Sequence, residues 1–281
     1  MAGTNRKAGS AKTGSSVLSH FLLSQTFSLG FTRVRYYSVF FVSAIILGYL
    51  VARARAIKQG IQAALFDDII FWTVVWGFVS ARIYYVLFYF TEYEHNLSEI
   101  YKVWHGGLAI YGGLIGGAIA LYFLTKRRGV KFFSFTDVVV FGLPLAQALG
   151  RFGNFFNYEA FGAPTNLPWK MYVPPQFRPA GYAQFQYFHP TFAYEAIWDV
   201  LTFAALVILA KSKYGKKYGR GLFTGAYFVL YSIGRFVIEG IRLDSAWFFG
   251  HIRGDQLTAV LLAIAGLAII RFSHENKPQI S

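Results

Sequence analysis

Apolar positions along this chain gather into long blocks divided by short polar breaks. Seven blocks approach the roughly 20 residues that a helix needs to cross a bilayer. They cover about 36–52, 68–90, 106–125, 135–154, 191–210, 221–241 and 254–271. The pattern predicts an all-α integral membrane protein of about seven transmembrane helices. Because seven is odd, the two termini are expected on opposite sides.

The breaks carry the orientation. Arg53, Arg55 and Lys58 follow the first block, Lys126, Arg127, Arg128 and Lys131 the third, Lys211, Lys213, Lys216, Lys217 and Arg220 the fifth, and Arg271 and Lys277 the seventh. That places fourteen basic residues on one side against five on the other, namely Lys102, Lys170, Arg178, Arg242 and Arg253. The positive-inside rule then sets the C-terminus in the cytoplasm and the N-terminus outside. Arg6, Lys7, Lys12, Arg33 and Arg35 pull the other way, and a membrane-dipping segment around Ser16 to Phe31 would reconcile the two. The basic, small-residue stretch 1–20 is expected to be a disordered tail, and 21–281 a single polytopic domain. Residues 155–190, rich in Pro, Tyr, Phe and Gln, are expected to form an extracytoplasmic cap or interfacial loop.

Composition narrows the class. The 281 residues are 55% apolar, 20% aromatic and only 14% charged, and the apolar blocks span the whole length, which excludes a soluble protein with a cleaved leader. A net charge of +14 raises nucleic acid as a partner, but the cations sit in short clusters between apolar blocks and no basic helix is present. With no cysteine, disulfides, thiolate metal sites and a cysteine nucleophile are excluded. No HExxH, paired aspartate ligands or Walker loop occurs, so neither a metal nor a cofactor is expected.

Given this topology, Tyr37, Arg82, His105, Tyr111, Arg151, Asn154, Asn157, Glu159, His189, Glu195, Arg235 and Glu239 all fall in the outer leaflet. A charge in hydrocarbon costs about 2.5–3.5 kcal/mol even on the lenient insertion scale, so the set predicts one outward-facing polar cavity. Arg235 and Glu239 are four apart and can pair on one helix face, as a brace or as part of a site. Arg82 has no acid at helical spacing and reads as structural, pairing across helices with Glu195 or Glu239. In GGLAIYGGLIGG, Gly112 with Gly116 and Gly113 with Gly117 form packing motifs, while Gly106 and Gly107 can let backbone approach a ligand. His105 reads either as a solvated surface group or as a catalyst, and Tyr111 as an interfacial aromatic or a buried hydroxyl donor.

Arg151 stands apart. In GRFGNFFNYEAFG it is flanked by Gly150, Gly153, Asn154 and Asn157, a forked cation with amide donors suited to phosphate oxygens. Glu159 would orient that arginine or act as an acid or base.

These residues resemble the prolipoprotein diacylglyceryl transferase family. GRFGNFFNYEAFG is similar to the family's signature segment, and RYYSVFF, ARIYYVLFY, GGLAIYGGLIGG, HPTFAYE and GRFVIEGIR resemble its other motifs in the same order, from about residue 30 to 270. The resemblance implies a seven-span enzyme of the bacterial cytoplasmic (inner) membrane. Such enzymes move the diacylglyceryl group of phosphatidylglycerol onto the lipobox cysteine thiol of a prolipoprotein, forming a thioether and releasing glycerol 1-phosphate.

By motif position, the resemblance makes Arg151 and Arg235 the head-group arginines, Asn154 and Glu159 the signature asparagine and acid, and Gly162 the closing glycine. Tyr37 would be the tyrosine of the first span, with Tyr231 and Glu239 flanking the second arginine. Asn157, as an amide donor beside Arg151, and His189, at the outer start of the fifth block, complete the expected substrate-binding set on their own positions. Tyr111 stands where some members carry a histidine proposed as the base, His105 precedes the earlier glycine pair, and Tyr158 stands where the family often has glycine. The base therefore stays open among Tyr111, His105 and Glu159. A transporter for an anionic amphiphile is the alternative, and it would place polar groups in both leaflets. A non-catalytic membrane scaffold, tolerant of substitution at these positions, is a third reading.

Overall fold

The computed structural model describes residues 25–30, 32–243, 247–248 and 252–275, so the expected tail 1–20 lies outside the described residues. Among them are nine α-helices: α1 (Tyr36–Lys58), α2 (Ala63–Phe88), α3 (Ile110–Arg127), α4 (Phe132–Val139), α5 (Leu143–Asn157), α6 (Thr191–Lys211), α7 (Lys213–Lys217), α8 (Leu222–Glu239) and α9 (Gly254–Glu275). Three short antiparallel hairpins accompany them: β1 (Thr26–Leu29) with β2 (Thr32–Arg35), β3 (Met171–Tyr172) with β4 (Tyr187–Phe188), and β5 (Trp247–Phe248) with β6 (Ile252–Arg253). The first hairpin occupies the described part of the segment expected to dip into the membrane, and it is extended rather than helical.

Helices α1, α2, α6, α8 and α9 are long and apolar enough to cross a bilayer, making five spans, or six if α4 and α5 count as one. Their outward faces carry exposed Ile45, Phe71, Ile83, Ile208, Val237 and Leu261, as a hydrocarbon solvent demands. The protein is thus a mostly helical, multi-pass membrane protein. The block expected as one helix over 135–154 is interrupted by a turn at 140–142. Pro144 explains the break, because its ring denies a hydrogen bond and clashes with the carbonyl four residues earlier, so it sits in the first turn of α5 instead. The third helix begins at Ile110 rather than near 106, since Gly106 and Gly107 adopt φ of +93° and +74°, outside any helix.

Two compact units form. The first holds residues up to 47, 144–204 and 230–263, and the second holds 48–143, 205–229 and 264–281. In the first, the expected cap is a folded element with its own apolar centre of Tyr158, Phe161, Met171, Val173, Phe188 and Phe192. A fully buried Phe188 contributes about 1.5–3 kcal/mol there. In the second, Ala56, Phe66, Ile69, Phe135 and Val138 pack together. There α2 and α3 lie backbone to backbone: a Cβ on Gly112 would stand 2.8 Å from the Ser80 carbonyl oxygen, and one on Gly116 would collide with the Ser80 side chain. Asp137 accepts from the Gly221 and Thr224 amides at 2.6 and 2.8 Å and from the Thr224 hydroxyl at 2.7 Å, placing an anion at the start of α8.

Candidate functional site

The first unit builds its site where three chain segments are laced together. Helix α5 presents Arg151, Asn154 and Asn157 along its last two turns and then exits through Tyr158 and Ala160, both left-handed at φ +54° and +53°. A non-glycine residue there costs roughly 1–2 kcal/mol, and the neighbourhood supplies the compensation. Tyr158 stacks on Phe177 with ring centroids 4.9 Å apart, and the Ala160 carbonyl accepts from the Thr191 hydroxyl at 2.5 Å. The Gly162 amide donates to the His189 carbonyl at 2.8 Å, and the Ala163 amide donates to the Ile241 carbonyl at 2.9 Å. A Cβ on Gly162 would stand 2.6 Å from the Ile241 oxygen, so this contact requires glycine.

At the centre is Glu195 on α6, 5% exposed, which gathers three guanidinium groups. Arg151 pairs with its Oε2, while Arg235 and Arg242 reach its Oε1 at 3.3 and 2.8 Å. Arg235 is further held by Glu239, one helical turn on, at 2.9 Å, and by Asp255 of α9. Glu239 is fully buried, and its backbone carbonyl accepts from Arg253. A carboxylate taken this far from water is tolerated only with opposite charge around it. The two arginines singled out by sequence therefore converge on one acid. Their donors are spent differently: Arg235 divides two nitrogens among three acids, whereas Arg151 has a single ion pair, and its side chain stays 21% exposed.

The remaining candidates surround this cluster in the same unit. Glu159, exposed, accepts from the Asn154 and Asn157 side-chain amides at 3.3 Å each. It therefore orients the asparagines rather than Arg151, contrary to expectation. Tyr37 lays its ring on Gly153, where a Cβ would stand 2.9 Å from the ring carbon. His189 shares a 3.1 Å hydrogen bond through Nδ1 with the Tyr194 hydroxyl, which also accepts from the Trp169 indole at 2.8 Å. Tyr231 precedes Arg235 by one turn of α8, within electrostatic reach of Arg151, Arg235 and Glu195. Burial pushes the Tyr158 phenol above its ordinary pKa. Beside the segment lies a largely apolar cavity of about 890 Å³, lined by Phe155, Tyr158, Trp169, Phe192, Tyr194 and Ile197 among others.

Other candidates belong to the second unit. Arg82, expected to pair with Glu195 or Glu239, instead donates to the backbone carbonyls of Glu99, Ile100, Gly106 and Gly107 at 2.5 to 2.8 Å. The left-handed turn at Gly106 and Gly107 aims those oxygens at the guanidinium, and a Cβ on Gly107 would strike it. His105 is exposed, with Nδ1 2.7 Å from Glu99. Lys102 first, and then His105, hold the Glu99 carboxyl below the usual glutamate range. Tyr111 opens α3 with an exposed side chain.

Sequence reasoning passed over Arg242, Asp255, Asp199 and the central role of Glu195. The signals were present. Glu195 and Asp199 are two acids four apart in an apolar block, and Arg242 follows Glu239 by three, on the same face as Arg235.

The profile described as prolipoprotein diacylglyceryl transferase matches residues 24–272, and this chain belongs to that family. A protein of Thermotoga petrophila is 46% identical over 256 residues, covering 89% of this chain and 86% of its own length. One of Synechocystis is 42% identical over 262 residues, covering 91% and 92%, and one of Staphylococcus aureus is 43% identical over 246 residues, covering 87% and 86%. Each is named phosphatidylglycerol--prolipoprotein diacylglyceryl transferase.

Proposed function

We propose that this protein transfers the diacylglyceryl group of phosphatidylglycerol to the lipobox cysteine thiol of a prolipoprotein. The observation that carries the reading is the convergence of Arg151 and Arg235 on Glu195, with donors of Arg151 left unspent. The thiol loses its proton, and the thiolate sulfur bonds to the glycerol carbon that bears the phosphate. That carbon–oxygen bond breaks, and its electron pair leaves with glycerol 1-phosphate. Arg151 receives the phosphate in the ground state, and both arginines oppose the charge that builds on it in the transition state. Glu195 and Glu239 hold the forks in place before substrate arrives, so little reorganisation is needed. Asn154 and Asn157, fixed by Glu159, add amide donors beside Arg151. The chain has no cysteine, which fits a sulfur nucleophile supplied by the substrate.

The setting follows from the same reading. Helix α3 crosses with the others and, with α4 and α5 as one broken span, makes seven around an outward-facing cavity. The basic clusters lie inside, the N-terminus outside, and the enzyme resides in the bacterial cytoplasmic membrane with the 155–190 element as its extracytoplasmic cap. Transport of an anionic amphiphile is not favoured, since the named relatives are transferases.

The test is incubation of the purified protein with phosphatidylglycerol and a lipobox peptide, read by mass for the thioether. Absence of that product from a folded preparation sinks the reading. Tyr111→Phe and His105→Ala, made separately, show which of the two, if either, accepts the proton, and Glu159 is the candidate left if neither does. The pH profile of kcat shifts or flattens for the residue that takes the proton and stays unchanged for the other.

A further inference from the structure

Asp199 lies one turn beyond Glu195 on α6 and is 5% exposed, yet among the described residues it makes no hydrogen bond or ion pair. Arg151 and Glu195 are within electrostatic reach of it, and so is Tyr231. Two neighbours in the same unit are in a similar state. The Thr202 hydroxyl, three residues on along α6, and the Ser232 hydroxyl, next to Tyr231, are buried without hydrogen-bond partners. Thr202 shares a helix face with Asp199 and Glu195, so α6 presents a polar strip from the arginine cluster onward.

A buried acceptor without a donor loses about 1–3 kcal/mol or more in desolvation, and few such groups survive in a fold without a role. Arg235 and Arg242 are engaged on Glu195 and Glu239, and in the reaction proposed above the free donors of Arg151 are taken by the phosphate. A ligand that fits must place an anionic phosphate at Arg151 and hydroxyl donors a short distance beyond it. A glycerol phosphate ester has that arrangement.

Resting on the reaction proposed above, we infer that Asp199 determines head-group specificity by accepting hydrogen bonds from the hydroxyls of the terminal glycerol. Lipids whose phosphate carries no hydroxyl leave this carboxylate unmet, and a site built around such a bond rejects them strongly.

The experiment compares phosphatidylglycerol with phosphatidylpropanol of the same acyl chains, each with a lipobox peptide and the full-length purified enzyme. Both lipids carry one phosphate charge, so the arginine contacts are common to them. The wild type is expected to favour phosphatidylglycerol by about tenfold or more in kcat/KM. Asp199→Leu brings that ratio close to one through a larger fall on phosphatidylglycerol. Asp199→Asn, which keeps an acceptor oxygen and the side-chain shape, lowers the ratio a few-fold and decides the matter if the leucine variant does not fold. A wild type that uses both lipids equally, or variants that keep the wild-type ratio, overturns the inference and leaves the transfer reaction standing. A wild type that uses neither lipid sinks the reaction itself and this inference with it.

Discussion

Arg82 and Arg151 are both arginines in apolar helices, and they end in opposite conditions. Arg82 spends its donors on four backbone carbonyls and, among the described residues, pairs with no acid. Arg151 makes one ion pair with a buried glutamate that two other arginines share. The first is saturated and ties down the turn that leads into α3. The second retains donors and sits where three arginines meet three acids. Counting donors against partners separates a fastening from a site, where burial or charge alone does not.

The largest effect is expected from Glu195→Gln, which leaves three guanidinium groups crowded without their shared acid. Breaking a buried charge cluster in this way costs about 3–5 kcal/mol, to be read as a lowered unfolding midpoint in detergent with transfer lost. Arg151→Lys keeps the charge and removes the fork, so transfer falls on the order of a hundredfold while the unfolding midpoint holds. Near-normal turnover of this variant would place Arg151 with Arg82 as a fastening and end the contrast. Arg82→Lys offers three donors where four carbonyls wait. It is expected to cost about 2 kcal/mol and to open residues 97–107 to protease, with a smaller loss of transfer than Arg151→Lys. The smallest change is Ala160→Gly, which removes left-handed strain and a buried methyl together, two terms of opposite sign that leave stability within about 1 kcal/mol of the wild type, read from the unfolding midpoint.

The sequence displayed some of these features openly and hid others for physical reasons. Apolar block length located the long helices, and a spacing of four anticipated the pair of Arg235 and Glu239. The partners of Arg82 were not legible, because a backbone carbonyl has the same letter everywhere and only the left-handed turn at Gly106 and Gly107 aims it. Glu195 as a shared acid depends on α5, α6 and α8 meeting, which no single block encodes. The turn at 140–142 was announced by Pro144 and overlooked because apolar residues flank it on both sides. Positive φ at Tyr158 had a hint only in the glycine that the family resemblance implies there, whereas Ala160 gave none.

The junction at Glu195 draws on Arg151 from one stretch of the polypeptide and on Arg235 and Arg242 from another, both distant in sequence from the acid they share. None of these stretches holds a fragment of the chemistry by itself. A half-assembled molecule therefore has no weak version of the activity to offer, and turnover becomes a report on whether insertion into the membrane ran to completion.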